Sequence, residues 1–144
     1  MLEHLVGTWR LKVFESQAAD GNVSFPMGPD ALGYLAYTLD GYVFVSISRR
    51  ERPAPTSNWP ESTPAEKAAA ASSFASYCGR YELRGDHIVH HVEQSLVPNN
   101  VGTSQVRYVE MDGDRLTLTD EPGRIPMRRA VWERVAGAAA VQPD

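Results

Sequence analysis

The 144-residue sequence predicts an all-β fold: an antiparallel up-and-down barrel of about eight to nine strands, with one short helix between the early and late strands. Three observations predict it. Short runs rich in aromatic and β-branched residues follow one another in hairpin succession, Gly-containing turns separate them, and a single alanine-rich stretch interrupts midway. Closure into a barrel would remove the unpaired edges that an open meander of this length exposes, and a sandwich is the competing architecture.

The elements follow in order. Residues 8–14 alternate apolar and polar from Trp9 to Val13, then reach a polar break at 16–22 that contains the turn dipeptide Asp20-Gly21. Residues 32–38 and 42–47 flank Asp40-Gly41, the strongest short-range hairpin signal available. Pro53, Pro55, Pro60 and Pro64 forbid regular pairing, so an irregular segment carrying Trp59 crosses next. That indole is either a plug on the core edge or a lid facing a ligand. Thr63-Pro64-Ala65-Glu66 reads as a capping box with proline in the first turn, and the alanine-rich helix it opens is expected to run to about Tyr77 and stop at Gly79. Strands resume at 80–83, 87–96, 103–111, 115–119 and 127–134. One domain over residues 1–135 is expected, with 136–144 a flexible C-terminal tail.

Composition excludes several partners. Net charge is −4 with both signs interspersed, so no basic footprint for nucleic acid is expected. A single cysteine, Cys78, cannot form an intramolecular disulfide. No apolar run approaches the roughly 20 residues of a membrane span, and the N-terminus does not read as a signal peptide. A cytoplasmic location without membrane contact is therefore expected.

Leu5-Val6-Gly7-Thr8-Trp9 puts a Gly-x-Trp at the head of the first strand, and Val131-Trp132-Glu133-Arg134 closes the last. The pairing resembles the lipocalin arrangement, in which the first-strand Trp plugs the barrel floor and a C-terminal Arg packs across its indole. The stretch 33–42, His90-His91-Val92-Glu93-Gln94-Ser95 with the following Pro98-Asn99 and 101–107, and 112–118 resemble a small lipocalin-like domain family of bacteria and fungi. The similarity covers about residues 2–135. It implies a barrel with a ligand-sized cavity; family members often sit among natural-product biosynthetic enzymes, some fungal relatives steer intramolecular cyclisation of polyenes without a cofactor, and many others have no known activity. Where the family often carries an aromatic, this chain has Asn100, which implies a more open or more polar mouth.

Alternate strand residues share a face. From His87 onward one face carries Ile88, His90, Val92, Gln94 and Leu96, and the other carries His87, Val89, His91, Glu93 and Ser95. The first is the more apolar and is expected inside. In the next strand Val109 and Met111 favour the set that contains Gln105 and Arg107. On that reading His90, Gln94, Gln105 and Arg107 project into an apolar lumen, with Tyr37 and Tyr81 at inward positions as phenol donors. His90 would move a proton, while Arg107 and Gln105 would stabilise a carbonyl or enolate oxygen. The duller alternatives are a hydrogen-bonded core histidine, an arginine bracing the barrel through Glu93 or Glu82, and wall tyrosines. On the opposite face His91 and Glu93 could flank a proton or a water. His87 and His91 lie about 13 Å apart on an extended strand, too far to share one metal ion, so no metal and no cofactor are expected.

The expected function is binding of a small hydrophobic molecule in the barrel. The sharpest form is a cofactor-independent cyclase or isomerase for an oxygenated, polyketide- or terpenoid-like substrate. The alternatives are a non-catalytic carrier and a structural partner within an assembly, a homodimer being compatible with each.

Overall fold

Strand pairing closes on itself. The computed structural model describes residues 2–137, and the expected tail lies outside the described residues from 138 onward. A four-residue helix α1 (Leu2–Leu5) leads into β1 (Gly7–Gln17), and the two-residue β2 (Val23–Ser24) folds back on the end of β1. Then come β3 (Leu32–Tyr37), β4 (Tyr42–Ser48), helix α2 (Pro64–Ser72), β5 (Phe74–Arg84), β6 (His87–Ser95), β7 (Ser104–Asp112), β8 (Arg115–Thr119) and β9 (Met127–Arg134). Each strand from β3 to β8 pairs antiparallel with the next. β1 pairs with both β3 and β9, which makes an eight-stranded barrel with β2 as an annex.

The register gives the barrel two different ends. Gly7 pairs with Tyr37 and Trp9 with Arg134, so the start of β1, the β3–β4 turn and the end of β9 share one end, the floor. α1 closes it. Trp9 is fully buried, its indole donates to Leu5 O at 3.0 Å, and the Arg134 guanidinium lies 4.2 Å from the ring centroid. Arg134 also donates to the carbonyls of Val6 and His4. The expected floor is therefore present. Gly7 has φ +139°, and a Cβ there would meet Arg134 Nη1 at 2.9 Å, so only glycine lets the arginine cross.

The core sits between this floor and mid-barrel, around Trp9, Leu35, Tyr37, Val43, Ile88, Leu116 and Trp132. The opposite end, the mouth, is framed by the β4–β5, β6–β7 and β8–β9 connections.

The hairpin over Asp40-Gly41 forms as expected, with Leu35 opposite Val45. The helix does not run as far as expected. Its capping box is present, but Ser73 caps its end and residues 74–78 belong to β5, paired with β4. Alanine propensity is worth only tenths of a kcal/mol per residue, and sheet pairing with β4 outweighs it. Gly79 is not a helix stop. It sits at a register shift where Cys78 faces Gln94 and Gly79 faces Val92, leaving Glu93 as an extra residue in β6. A Cβ on Gly79 would lie 1.8 Å from His91 O.

Candidate functional site

That bulge decides what faces the lumen. Ile88, His90 and Val92 point inward, as alternation requires, but the extra residue reverses the parity beyond them. Ser95 lines the cavity, while Gln94, expected inside, is exposed beside the Cys78 thiol. Leu96 is exposed as well.

The mouth half of the barrel holds a cavity of about 170 Å³. Phe14, Leu35, Val92, Leu118 and Trp132 supply apolar wall, and the polar lining includes Tyr77, His90, Gln105, Arg107, Asp120 and Arg128 together with Ser76, Ser95 and Arg129. A void of roughly 150 Å³ accepts a benzene-sized ring. Asn100 also lines it, so the position where an aromatic was expected to be missing is part of the wall.

His90 is 1% exposed and clamped between two phenols. The Tyr37 hydroxyl lies 2.7 Å from Nε2 and the Tyr77 hydroxyl 2.6 Å from Nδ1. Burial, and secondarily the positive charge of Arg107 and the neighbouring His91, push the imidazole pKa down from 6.5 to about 3. It is neutral throughout the physiological range. Burial raises the pKa of Tyr77, opposed by the charges of Arg107 and Arg128. Tyr37 is held well above the ordinary phenol value, first by burial and then by Tyr77.

The cationic side is built around a carboxylate. Asp120, 1% exposed, accepts from Arg107 Nη1 at 3.1 Å, from Arg128 Nε at 3.0 Å and from the Arg128 backbone N–H at 2.9 Å. Arg107 also donates to Val106 O and, at 3.3 Å, to Gln105 Oε1. Two guanidinium groups against one carboxylate leave this wall one positive charge in excess. Arg129 is neutralised separately by Glu15 at 3.1 Å.

Of the side chains singled out from the sequence, His90, Gln105 and Arg107 meet at the cavity. Tyr37 stands one hydrogen bond behind it. Tyr81 packs edge-on against Tyr37, with centroids 4.9 Å apart, and donates to Thr38 O at 2.7 Å. It is wall. Trp59 is 55% exposed in a 3-10 turn, with Lys67 over its ring, and does not line this cavity, so it does not plug the core. Glu93 is the exposed bulge residue. His91 pairs with Glu82 and Ser104 rather than with Glu93, and Arg107 is braced by Asp120 rather than by Glu82 or Glu93. Sequence reasoning missed Tyr77, Asp120 and Arg128. Only Tyr77 left a signal: Phe74 and Tyr77 are β-favouring residues closing an alanine run.

The sequence profile of the lipocalin-like domain matches residues 6–135. No curated protein matches the chain. Among solved structures the chain is similar to a lipocalin-like protein from Bacteroides uniformis, at 14% identity and a TM-score of 0.51, over 92% of this chain and 99% of that one. An uncharacterized protein from Bacteroides eggerthii, also 14% identical, aligns over 91% and 99% with a TM-score of 0.49.

Proposed function

The chain belongs to the lipocalin-like domain family, and from that premise we propose that it binds a compact hydrophobic molecule in the mouth half of the barrel, with an oxygen of that molecule held at Tyr77 and Arg107. The observation that carries this reading is a cavity with a largely aliphatic and aromatic wall into which Tyr77, Gln105, Arg107 and Arg128 converge as a polar cluster. The volume suits a single ring or the ring-sized head of a longer molecule whose remainder leaves through the mouth. The excess positive charge beside it favours an electron-rich oxygen, such as a carbonyl or an oxyanion.

Acetophenone is a fitting probe, and Trp132, in the cavity wall, is a built-in fluorescent reporter. Acetophenone should change the tryptophan emission saturably in the wild type. Val92→Phe, which fills the cavity beside His90, should abolish the response. A saturable response that survives Val92→Phe would put the binding elsewhere and overturn the reading.

The phenol at the cavity supports a second, catalytic reading: a cofactor-independent cyclase or isomerase. Tyr77 and Arg107 would polarise a substrate carbonyl and stabilise the charge that develops on it, while the walls hold the chain folded near its reactive geometry. His90, with both ring nitrogens engaged, then serves by holding Tyr77 rather than as a free base. Exchange of the acetophenone methyl hydrogens in D₂O separates the two readings. Exchange faster than in buffer, and lost in Tyr77→Phe, supports the enzyme; exchange at the buffer rate leaves the carrier.

A further inference from the structure

We infer that Tyr37 and His90 are positioning residues that fix the direction of the hydrogen bond at Tyr77, so that its hydroxyl is presented to the cavity as a donor and selects ligands with an acceptor there. This rests on the binding reading above and adds the ligand class.

The Tyr37 hydroxyl is buried, does not line the cavity, and among the described residues has one polar partner, His90 Nε2. Were Nε2 protonated, it would donate to the Tyr37 oxygen and leave the phenol proton buried with no acceptor. An unsatisfied buried donor costs about 1–3 kcal/mol. The arrangement that satisfies every group runs the other way. Tyr37 O–H donates to Nε2, Nδ1–H donates to the Tyr77 oxygen, and Tyr77 keeps its own proton for the cavity. The assignment thus follows from the network, as a histidine tautomer must. Arg107, in the same cavity wall, directs its hydrogen bonds to Asp120, Val106 O and Gln105 Oε1.

The rest of the wall agrees. Both oxygens of Asp120 are taken by Arg107 and Arg128, and Gln105 Oε1 is taken by Arg107. The indole N–H of Trp132, a cavity-wall residue, is buried with no hydrogen-bond partner among the described residues. Among Tyr77, Gln105, Arg107, Asp120 and Arg128 the polar face is therefore rich in donors and poor in open acceptors, while Ser76, Ser95 and Asn100, which also line the cavity, carry oxygens that can accept. It fits a ketone, aldehyde, ester or oxyanion and disfavours a group that can only donate, such as an ammonium.

The first test needs no ligand. ¹⁵N NMR of the free protein should show His90 with a protonated Nδ1 and a pyridine-type Nε2. A protonated Nε2 overturns the inference and leaves the binding reading untouched. In Tyr37→Phe, which keeps the ring and removes only the hydroxyl, an Nε2–H population should appear. Persistence of pure Nδ1–H there would show that Tyr37 does not set the direction.

The second test compares acetophenone with α-methylstyrene, which replaces the carbonyl by a methylene of similar shape. One hydrogen bond is worth about 0.5–1.5 kcal/mol, so acetophenone should bind about two- to tenfold more tightly. Tyr77→Phe should erase the preference. Tyr37→Phe should weaken acetophenone about twofold, by halving the donor-ready population, and leave α-methylstyrene unchanged. Equal affinity of the two probes for the wild type overturns the ligand class. If neither probe binds, the binding reading fails and the tautomer result alone judges the positioning.

Discussion

His90 shows how one buried side chain makes the molecule sensitive to acid. Its imidazole pKa falls from about 6.5 in the unfolded chain to about 3 in the fold, so the unfolded chain binds a proton that the folded one refuses. The stability linked to it is complete above pH 6.5 and is lost progressively as pH falls toward 3, with a limiting slope of about 1.4 kcal/mol per pH unit. Urea unfolding of the wild type and His90→Gln between pH 4 and pH 7 should show a shallower slope in the variant; parallel slopes would contradict the burial of a neutral imidazole. Asp120 is the second residue on which the site depends. Asp120→Ala leaves two guanidinium groups facing each other in the wall and should cost about 3–5 kcal/mol by chemical denaturation. His90 and Arg107 were legible as inward-facing from alternation alone. Asp120 was not, because it lies in a Thr119-Asp120-Glu121-Pro122-Gly123 stretch that reads as a turn, and its partners come from β7 and β9, the strands that flank β8 in the sheet.

At the level of the element, β5 and β6 determine which side chains reach the lumen. Alternation placed Gln94 inside and Ser95 outside, which holds only for an unbroken ladder. The extra residue at Glu93 exchanges them, and its one sequence trace is Gly79, whose missing Cβ gives the His91 carbonyl its place. Gly79→Ala should therefore cost about 3 kcal/mol or more and lower the melting temperature by over 10 °C, whereas Gly85→Ala, with open space at its Cβ but a φ of +65°, should cost only about 1 kcal/mol. Similar losses at the two sites would contradict the bulge. The same element hid Tyr77. Read as the end of an alanine-rich helix, the residue has no face toward a barrel; paired with Ser95 and Val45 as part of β5, it comes within reach of His90. Propensity described the local chain correctly up to Ser72, and long-range pairing decided the rest.

Over the whole molecule, hairpin succession pointed to a closed barrel ahead of a sandwich, and the plugged floor was implied by the resemblance of the Gly-x-Trp and its distant arginine to the lipocalin arrangement. The cavity was foreseen in kind but not in size or position, because these depend on how Phe14, Leu35, Leu118 and Trp132 fill the lumen. The resulting barrel is plugged by Trp9 and Arg134 at one end and holds its cavity in the other half, where Tyr77, Gln105, Arg107 and Arg128 converge. Such a division suits a receptor for an apolar molecule with a polar end. The most direct test is a crystal structure of the protein soaked with acetophenone. The ring should lie against Trp132 and Leu118 with its carbonyl oxygen about 2.7–2.8 Å from the Tyr77 hydroxyl. A ligand seated with its carbonyl turned away from Tyr77, or density confined to the outer surface while the lumen stays closed to it, would contradict the account.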